Sequence, residues 1–280
     1  MDIFLNRYCS YVLEEDTIYS SSGESFELAD RIGAGGNGAV YECIDVSGNT
    51  YAVKFLLQTK RKSKSRFHQE IKLMKKVEHP HIIRYIADGK ASLLNSAGQS
   101  IEVPFVIMEK ADKNLVTLLK EQNIAYEVYA AQFRGLCEAL DALHHYAIHR
   151  DIKPENILVK GERWILSDFG LCEFLDPNEH QELTGEYEKV GPAFWMSPEA
   201  VTSFYFGQNL IGTYSDVFQL CAVFAFVLTK KFPGGILLPN SLNTTEGIEK
   251  LISDSLSNDY SSRPIDGHVL AQRYNEAILC

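Results

Sequence analysis

No stretch of this sequence stays apolar long enough to cross a bilayer. The most hydrophobic run, Val217–Leu228 (VFQLCAVFAFVL), is twelve residues long. A membrane helix needs roughly 20, so the run reads as a buried helix. Cysteine is sparse: Cys9, Cys43, Cys137, Cys172, Cys221 and Cys280 are scattered, with no C-x-x-C pair and no His/Cys cluster. That excludes a disulfide framework and a zinc site and fits a reducing compartment, so the expected location is cytoplasmic. An excess of positive charge is also missing. Against 37 Asp and Glu stand 27 Lys and Arg, a formal net charge of −10, which argues against nucleic acid as a partner. Met1–Leu13 carries Asp2, Asn6 and Arg7 among its apolar residues, unlike a secretory leader. The expectation is therefore of neither a membrane nor a nucleic-acid partner. What is present is ordinary for a packed protein: 280 residues, 45% hydrophobic and 23% charged, enough for one two-lobed domain or two small ones.

Residues 1–25 read as an N-terminal extension ending in the loose joint SSSGES, with Tyr8, Tyr11, Val12, Leu13 and Ile18 available to pack. From Phe26 the chain reads as strands. FELADRI, AVYECIDV and YAVKFLL are rich in β-branched and aromatic residues, with turns at GAGGNG and SGNT. A helix is expected over Phe67–Val77, from the spacing of Phe67, Ile71, Met74 and Val77. Strand-like IIRYIAD and VPFVIME follow. Beyond them the pattern turns helical: Tyr126–Tyr146, Val217–Leu228, and further helices around 246–255 and 268–278, with short strands at 157–159 and 164–166 about Gly161. The expected fold class is α+β, a small antiparallel β-rich lobe with one helix and a larger α-rich lobe. A cleft between such lobes is a natural ligand site.

Four motifs carry chemistry. Gly33-Ala-Gly35-Gly-Asn-Gly38 precedes an alternating segment, Val40-Tyr-Glu-Cys-Ile44. The glycines therefore belong to a hairpin turn, not to the strand-to-helix turn of a dinucleotide fold. Such a turn either closes backbone amides over a phosphate or is simply a turn. In Ala52-Val53-Lys54 a lysine sits in an apolar strand, which is costly without an anionic partner. Glu70 on the expected helix is a candidate, and a surface lysine is the alternative. The third motif is His149-Arg-Asp151-Ile-Lys153-Pro-Glu-Asn156, and the fourth is Asp168-Phe-Gly170. Two aspartates, an asparagine and a lysine in one region suit phosphoryl transfer. Asn156 and Asp168 offer hard oxygen ligands, Asp151 can accept a hydroxyl proton, and Lys153 can neutralise phosphate charge.

Together, in this order, these motifs resemble the eukaryotic-type (Hanks-type) protein kinase domain over roughly Phe26–Leu270. The resemblance implies a kinase domain at 26–275, with its N-lobe at about 26–108, hinge at about 109–113 and C-lobe at about 114–275, and a tail at 276–280. It implies ATP and Mg²⁺, with Mn²⁺ as the alternative ion, and a protein substrate. By the same resemblance Lys54 holds the α and β phosphates and pairs with Glu70. Asp151 orients or deprotonates the acceptor hydroxyl, Lys153 contacts the transferred phosphate, and Asn156 and Asp168 hold the metal. Gly33, Gly35 and Gly38 cover the phosphates. Met108 falls at the gatekeeper position, Glu109 and Ala111 offer backbone hydrogen bonds to adenine, and Ile32, Val40, Ala52 and Leu158 sandwich its ring. Glu199 in Trp195-Met-Ser-Pro-Glu199, Asp216 and Arg263 resemble structural residues of the family. They favour protein substrates over small molecules.

Specificity is where the pattern divides. Lys153, in HRDIKPEN, resembles Ser/Thr kinases, while Gly191-Pro192-Ala-Phe-Trp195 resembles the tyrosine-kinase version. The catalytic loop carries more weight, so Ser/Thr transfer is expected, with tyrosine or dual specificity as the alternative. A pseudokinase acting as a nucleotide-binding scaffold is the further alternative. Arg150 resembles the arginine that receives an activation-segment phosphate, and Thr184 and Tyr187 are the candidate acceptors. Glu182, Glu186 and Glu188 already bring negative charge there. Modest basal activity, raised by autophosphorylation during transient self-association, is the expectation. The run Lys60-Arg-Lys-Ser-Lys-Ser-Arg66 reads as a solvated helix start or as a docking patch for an acidic partner.

Overall fold

The computed structural model describes residues 1–6, 9–35, 38–58, 60–176, 178, 194–232 and 240–279. The chain forms two compact units, Met1–Lys75 with Ile83–Ala111, and Lys76–Ile82 with Asp112–Cys280.

The first unit contains strands β1 (Asp2–Asn6), β2 (Cys9–Val12), β3 (Thr17–Tyr19), β4 (Ser25–Gly35), β5 (Gly38–Asp45) and β6 (Thr50–Leu56), most of helix α1 (Arg61–Lys76), and strands β7 (Tyr85–Leu94) and β8 (Ser100–Glu109). They make one antiparallel sheet in the order β1-β2-β7-β8-β6-β5-β4-β3. Along β6, Val53 and Phe55 point to one face and Ala52, Lys54 and Leu56 to the other, as strand alternation requires. Val53 and Phe55 join a core with Tyr41, Leu93, Phe105, Ile3, Tyr11, Leu13 and Ile18. Residues 1–25 thus supply three strands and four core side chains on the face opposite Lys54. The segment crosses the sheet at β7, where Ser20 bridges Gly89 and the Ser21 amide donates to the Asp88 carbonyl at 2.8 Å. A Cβ on Gly89 would stand 2.9 Å from the Tyr19 carbonyl and 2.7 Å from the Phe105 ring, so this crossing requires glycine.

Helix α1 begins six residues before the apolar pattern. Its first turns are the basic run, whose lysines and arginines are good helix formers without being apolar. Phe67, Ile71, Leu73 and Met74 bury its inner face.

The second unit is mainly helical: β9 (Lys113–Asn114), α2 (Leu115–Glu121), α3 (Tyr126–His144), β10 (Ala147–Ile148), β11 (Ile157–Lys160), β12 (Arg163–Leu166), β13 (Glu173–Phe174), α4 (Pro198–Phe206), α5 (Thr213–Thr229), α6 (Glu246–Ser255) and α7 (Gly267–Ala277). The apolar run is helix α5, buried almost all round. Phe224 stacks on Phe133 of α3 at 3.9 Å between ring centres. This is the burial pattern of a core helix, and no helix among the described residues is long and apolar enough to cross a membrane. The α+β architecture with a β-rich first region and an α-rich second one is the one expected.

Candidate active site

In the first unit the glycine turn joins β4 to β5, with Gly33 opposite Val40 and Gly35 opposite Gly38. A Cβ on Gly38 would lie 2.1 Å from the Phe55 carbonyl, while one on Gly33 would come no nearer to a described residue than the Val40 side chain, at 3.7 Å. The third glycine of the motif is therefore required by the close approach of β5 to β6, whatever the turn binds. Lys54 stands in β6 between Val40 of β5 and Val106 of β8. Its Nζ donates to Glu70 Oε1 at 2.6 Å. Glu70 is buried in α1, only 4% exposed. A carboxylate this deep needs a cation, and the apolar strand supplies it. Ala52 and Met108 are cross-strand neighbours on β6 and β8. The Glu109 amide donates to the Arg84 carbonyl at 3.0 Å, and its Oε1 accepts from the Arg84 amide at 3.2 Å. Ile32 is exposed on β4, and Ala111 ends the unit.

In the second unit the loop 149–156 joins β10 to β11 and is organised around one carboxylate. Asp216, fully buried at the start of α5, accepts from the backbone amides of His149 (2.6 Å) and Arg150 (2.8 Å). It also accepts from His144 Nε2 at 3.1 Å. The Gly267 amide donates to His144 Nδ1, which fixes the tautomer with its proton on Nε2. Gln219, one turn along α5, accepts from the Ile152 amide at 3.0 Å. These contacts hold Arg150 in the left-handed region at φ 71°, a conformation most residues avoid.

Asp151 then presents its side chain beside two donors. Lys153 Nζ reaches Asp151 Oδ2 at 2.9 Å, and Asn156 Nδ2 reaches the same oxygen at 2.8 Å. Burial pushes the Asp151 carboxyl above its usual range. The Lys153 hydrogen bond and charge oppose that rise, and the nearby Asp168 carboxylate adds to it. Asp168 is exposed and also left-handed, at φ 63°, while the following Phe169 is buried with its ring 5.4 Å from that of His149. With its nitrogen committed to Asp151, Asn156 keeps its carbonyl oxygen as the acceptor it can offer. Among the described residues no three His, Cys, Asp or Glu side chains gather as a metal cage. One amide oxygen and one carboxylate suit an ion that takes its other ligands from phosphate and water. Leu158 is half-buried on β11, opposite Asn114.

The structural residues form a second buried group. Arg263 grips Glu199 through both nitrogens, at 2.8 and 3.0 Å, and Ser215 Oγ donates to the same carboxylate at 2.6 Å. Burial pushes the Glu199 carboxyl up, but these donors outweigh it and hold the group below its usual range. Trp195 is buried, edge-on to Phe226 at 5.3 Å. Thr184, Tyr187, Gly191 and Pro192 lie outside the described residues. The residues that sequence reasoning missed here are Gln219 and Ser167. Ser167 Oγ donates to the Asn156 carbonyl at 2.8 Å. Gln219 had a signal, since it is the one amide inside the apolar run of α5 and a buried amide must find partners.

A β-rich unit with a strand–helix lysine–glutamate pair, and a helical unit with a buried HRD loop, define the protein kinase class. Residues 26–274 match the family described as protein kinase domain, and the chain belongs to that family. It is 31% identical over 188 residues to the serine/threonine-protein kinase pak-1 of Caenorhabditis elegans, covering 66% of this chain and 31% of that protein. It is 32% identical over 184 residues to the serine/threonine-protein kinase PAK 1 of Mus musculus, covering 65% and 32%. A third relative, the U-box domain-containing protein 70 of Oryza sativa subsp. japonica, is 29% identical over 226 residues, covering 77% and 26%. The chain thus spans about a quarter to a third of the length of these relatives.

Proposed function

We propose that this chain transfers the γ-phosphoryl group of ATP to serine or threonine hydroxyls of protein substrates, and that it also phosphorylates itself in transient encounters. The observation that carries this reading is the shared carboxylate oxygen of Asp151, held by Lys153 at 2.9 Å and by Asn156 at 2.8 Å. A hydroxyl docked at Asp151 loses its proton to that carboxylate as its oxygen bonds to the γ phosphorus. The bond from that phosphorus to the β–γ bridging oxygen breaks, and the pair of electrons leaves with ADP. Lys153 is placed to answer the charge on the transferred group, and Lys54, fixed by Glu70, would hold the remaining phosphates. Asn156 and Asp168 would hold Mg²⁺, which when bound neutralises phosphate oxygens. Catalysis in this reading is positioning and electrostatics. Support for Ser/Thr transfer comes from Lys153 and from the two relatives named as serine/threonine-protein kinases. Trp195, which resembled a tyrosine-kinase mark, has a sufficient reason in its aromatic packing.

The test is incubation of the purified protein with Mg·ATP, followed by intact mass and phosphosite mapping, with Asp151→Asn as control. Phosphoserine or phosphothreonine absent from the control is the expected result. Phosphotyrosine alone would overturn the specificity, and ATP binding without any transfer would overturn the activity.

A further inference from the structure

Arg150 is a charge that the proposed chemistry does not itself use. Its side chain is only 7% exposed, and a guanidinium that deep must be answered by an anion. The answer comes from β13: Arg150 Nη1 donates to Glu173 Oε2. Glu173 is placed by backbone. The β13 strand pairs antiparallel with β10, Glu173 opposite Ile148 and Phe174 opposite Ala147. The Leu175 amide donates to the Tyr146 carbonyl at 2.8 Å, extending the pairing. Cys172 Sγ lies 3.6 Å from the His149 carbonyl. The carboxylate is thus carried on a strand that runs beside the very residues leading into the catalytic loop. Lys76 of this unit also lies near β13, its Nζ 5.8 Å from the Phe174 ring centre and 6.0 Å from that of Tyr146.

We propose that Glu173 is a positioning residue, a built-in counter-ion for Arg150 that keeps Asp151 in its working geometry without any phosphate on the activation segment. The inference rests on the kinase reading above and concerns how that site is regulated. Two physical points carry it. First, the charge of Arg150 is already met by a group that needs no modifying enzyme and is held by strand hydrogen bonds. Second, a phosphate brings a charge of about −1.5 to −2, and at Arg150 it would meet the Glu173 carboxylate, a repulsion that a basic pocket lacks. Because Arg150 directly precedes Asp151 and is held left-handed, a shift of its side chain is transmitted to the base by one peptide unit. Glu182, Glu186 and Glu188, which also bring negative charge to this part of the sequence, lie outside the described residues; the carboxylate that strand pairing places at Arg150 is Glu173.

The experiment uses the full chain treated with a broad-specificity protein phosphatase, which is then removed, with intact mass confirming that no phosphate remains. Initial rates are read with Mg·ATP and myelin basic protein before phosphate returns to the chain. Dephosphorylated wild type should keep its rate within about twofold of the untreated protein. Glu173→Gln should lower kcat by tenfold to a hundredfold, the order expected when a reacting group is displaced by a fraction of an ångström to an ångström. Its KM for ATP and its melting temperature should stay close to wild type, and Glu173→Asp should recover most of the rate. A phosphatase-treated wild type reduced to the level of Asp151→Asn would overturn the inference while leaving the kinase reading intact. So would a Glu173→Gln variant as fast as wild type. Untreated wild type no faster than Asp151→Asn would overturn the kinase reading itself.

Discussion

The two units each bury functional charge, and they do it differently. In the first, Lys54 and Glu70 meet as side chains from a strand and a helix, joined at 2.6 Å. In the second, Asp216 accepts from two successive backbone amides at 2.6 and 2.8 Å and from a histidine whose other nitrogen is engaged by α7. A pair of long side chains fixes a distance. A carboxylate bound to consecutive amides fixes the path of the chain, including the left-handed turn at Arg150. The path of loop 149–156 is therefore set by the fold beneath it, with Glu173 meeting the Arg150 side chain, whereas the Lys54–Glu70 distance depends on how α1 sits on its own sheet.

The largest expected effect falls where that loop presents Asp151, the base in the proposed reaction. Asp151→Asn should lower kcat by roughly 10²–10⁴-fold, the usual contribution of a general base. Its melting temperature should stay near wild type, because Asp216 and not Asp151 holds the backbone. A large fall in stability, read by thermal unfolding, would break the distinction between base and scaffold. Next comes the scaffold itself. Arg263→Ala leaves the Glu199 carboxylate buried without its guanidinium and should cost about 3–5 kcal/mol in denaturant unfolding. The sign with pH follows from the lowered Glu199 carboxyl. Its stabilisation is full above the ordinary glutamate range and is lost as pH falls through the depressed folded value, so wild type should lose stability on acidification. Arg263→Ala should show a shallower acid dependence. An equal slope in both proteins would show that Glu199 does not govern it.

In the first unit the comparable test is apolar. Ile18→Ala removes a buried side chain of the N-terminal strands from the core shared with Tyr41 and Phe55, and should cost about 2–5 kcal/mol. The chain can then be compared with one lacking residues 1–19. If deletion leaves the unfolding midpoint unchanged, these strands are ornament and not core.

How much of this was legible follows from how local each signal is. Strands β5 and β6 and helices α3 and α5 carry their own periodicity, and the four motifs are contiguous, so both the fold class and the candidate site could be read directly. The strands of residues 1–25 could not, because the core that Ile3, Tyr11, Leu13 and Ile18 join is completed by residues from Phe26 onward. Helix α2 is a seven-residue segment whose clearest sign is the Asn114 cap, accepting from the Thr117 amide at 2.9 Å. Helix α4 has Pro198 in its first turn and Gly207 left-handed at its end, a start and stop signal without apolar repeat between. Partner choice was the least legible of all. Nothing in the order of residues says that Arg150 pairs with Glu173, which only the β10–β13 register brings together.

The smallest effect we expect is also the one that resolves the electrostatics of the base. Burial raises the Asp151 carboxyl, and Lys153, through its hydrogen bond and charge, is the main force opposing that rise. A base works only when ionised, so the acid limb of kcat/KM against pH should lie above the usual carboxylate range. Removing Lys153 removes the opposing force, so in Lys153→Ala the limb should move to still higher pH. The overall rate falls as well, because the charge facing the transferred phosphate is gone. The shift in the limb separates these roles. A lysine that only contacts phosphate would lower the plateau and leave the midpoint in place. A lysine that also sets the ionisation of Asp151 moves the midpoint upward. Lys153→Arg, which keeps the charge, should hold the midpoint near that of wild type while losing rate to altered geometry. A limb that stays fixed in Lys153→Ala would mean that Asn156, donating to the same oxygen at 2.8 Å, suffices to keep the base ionised.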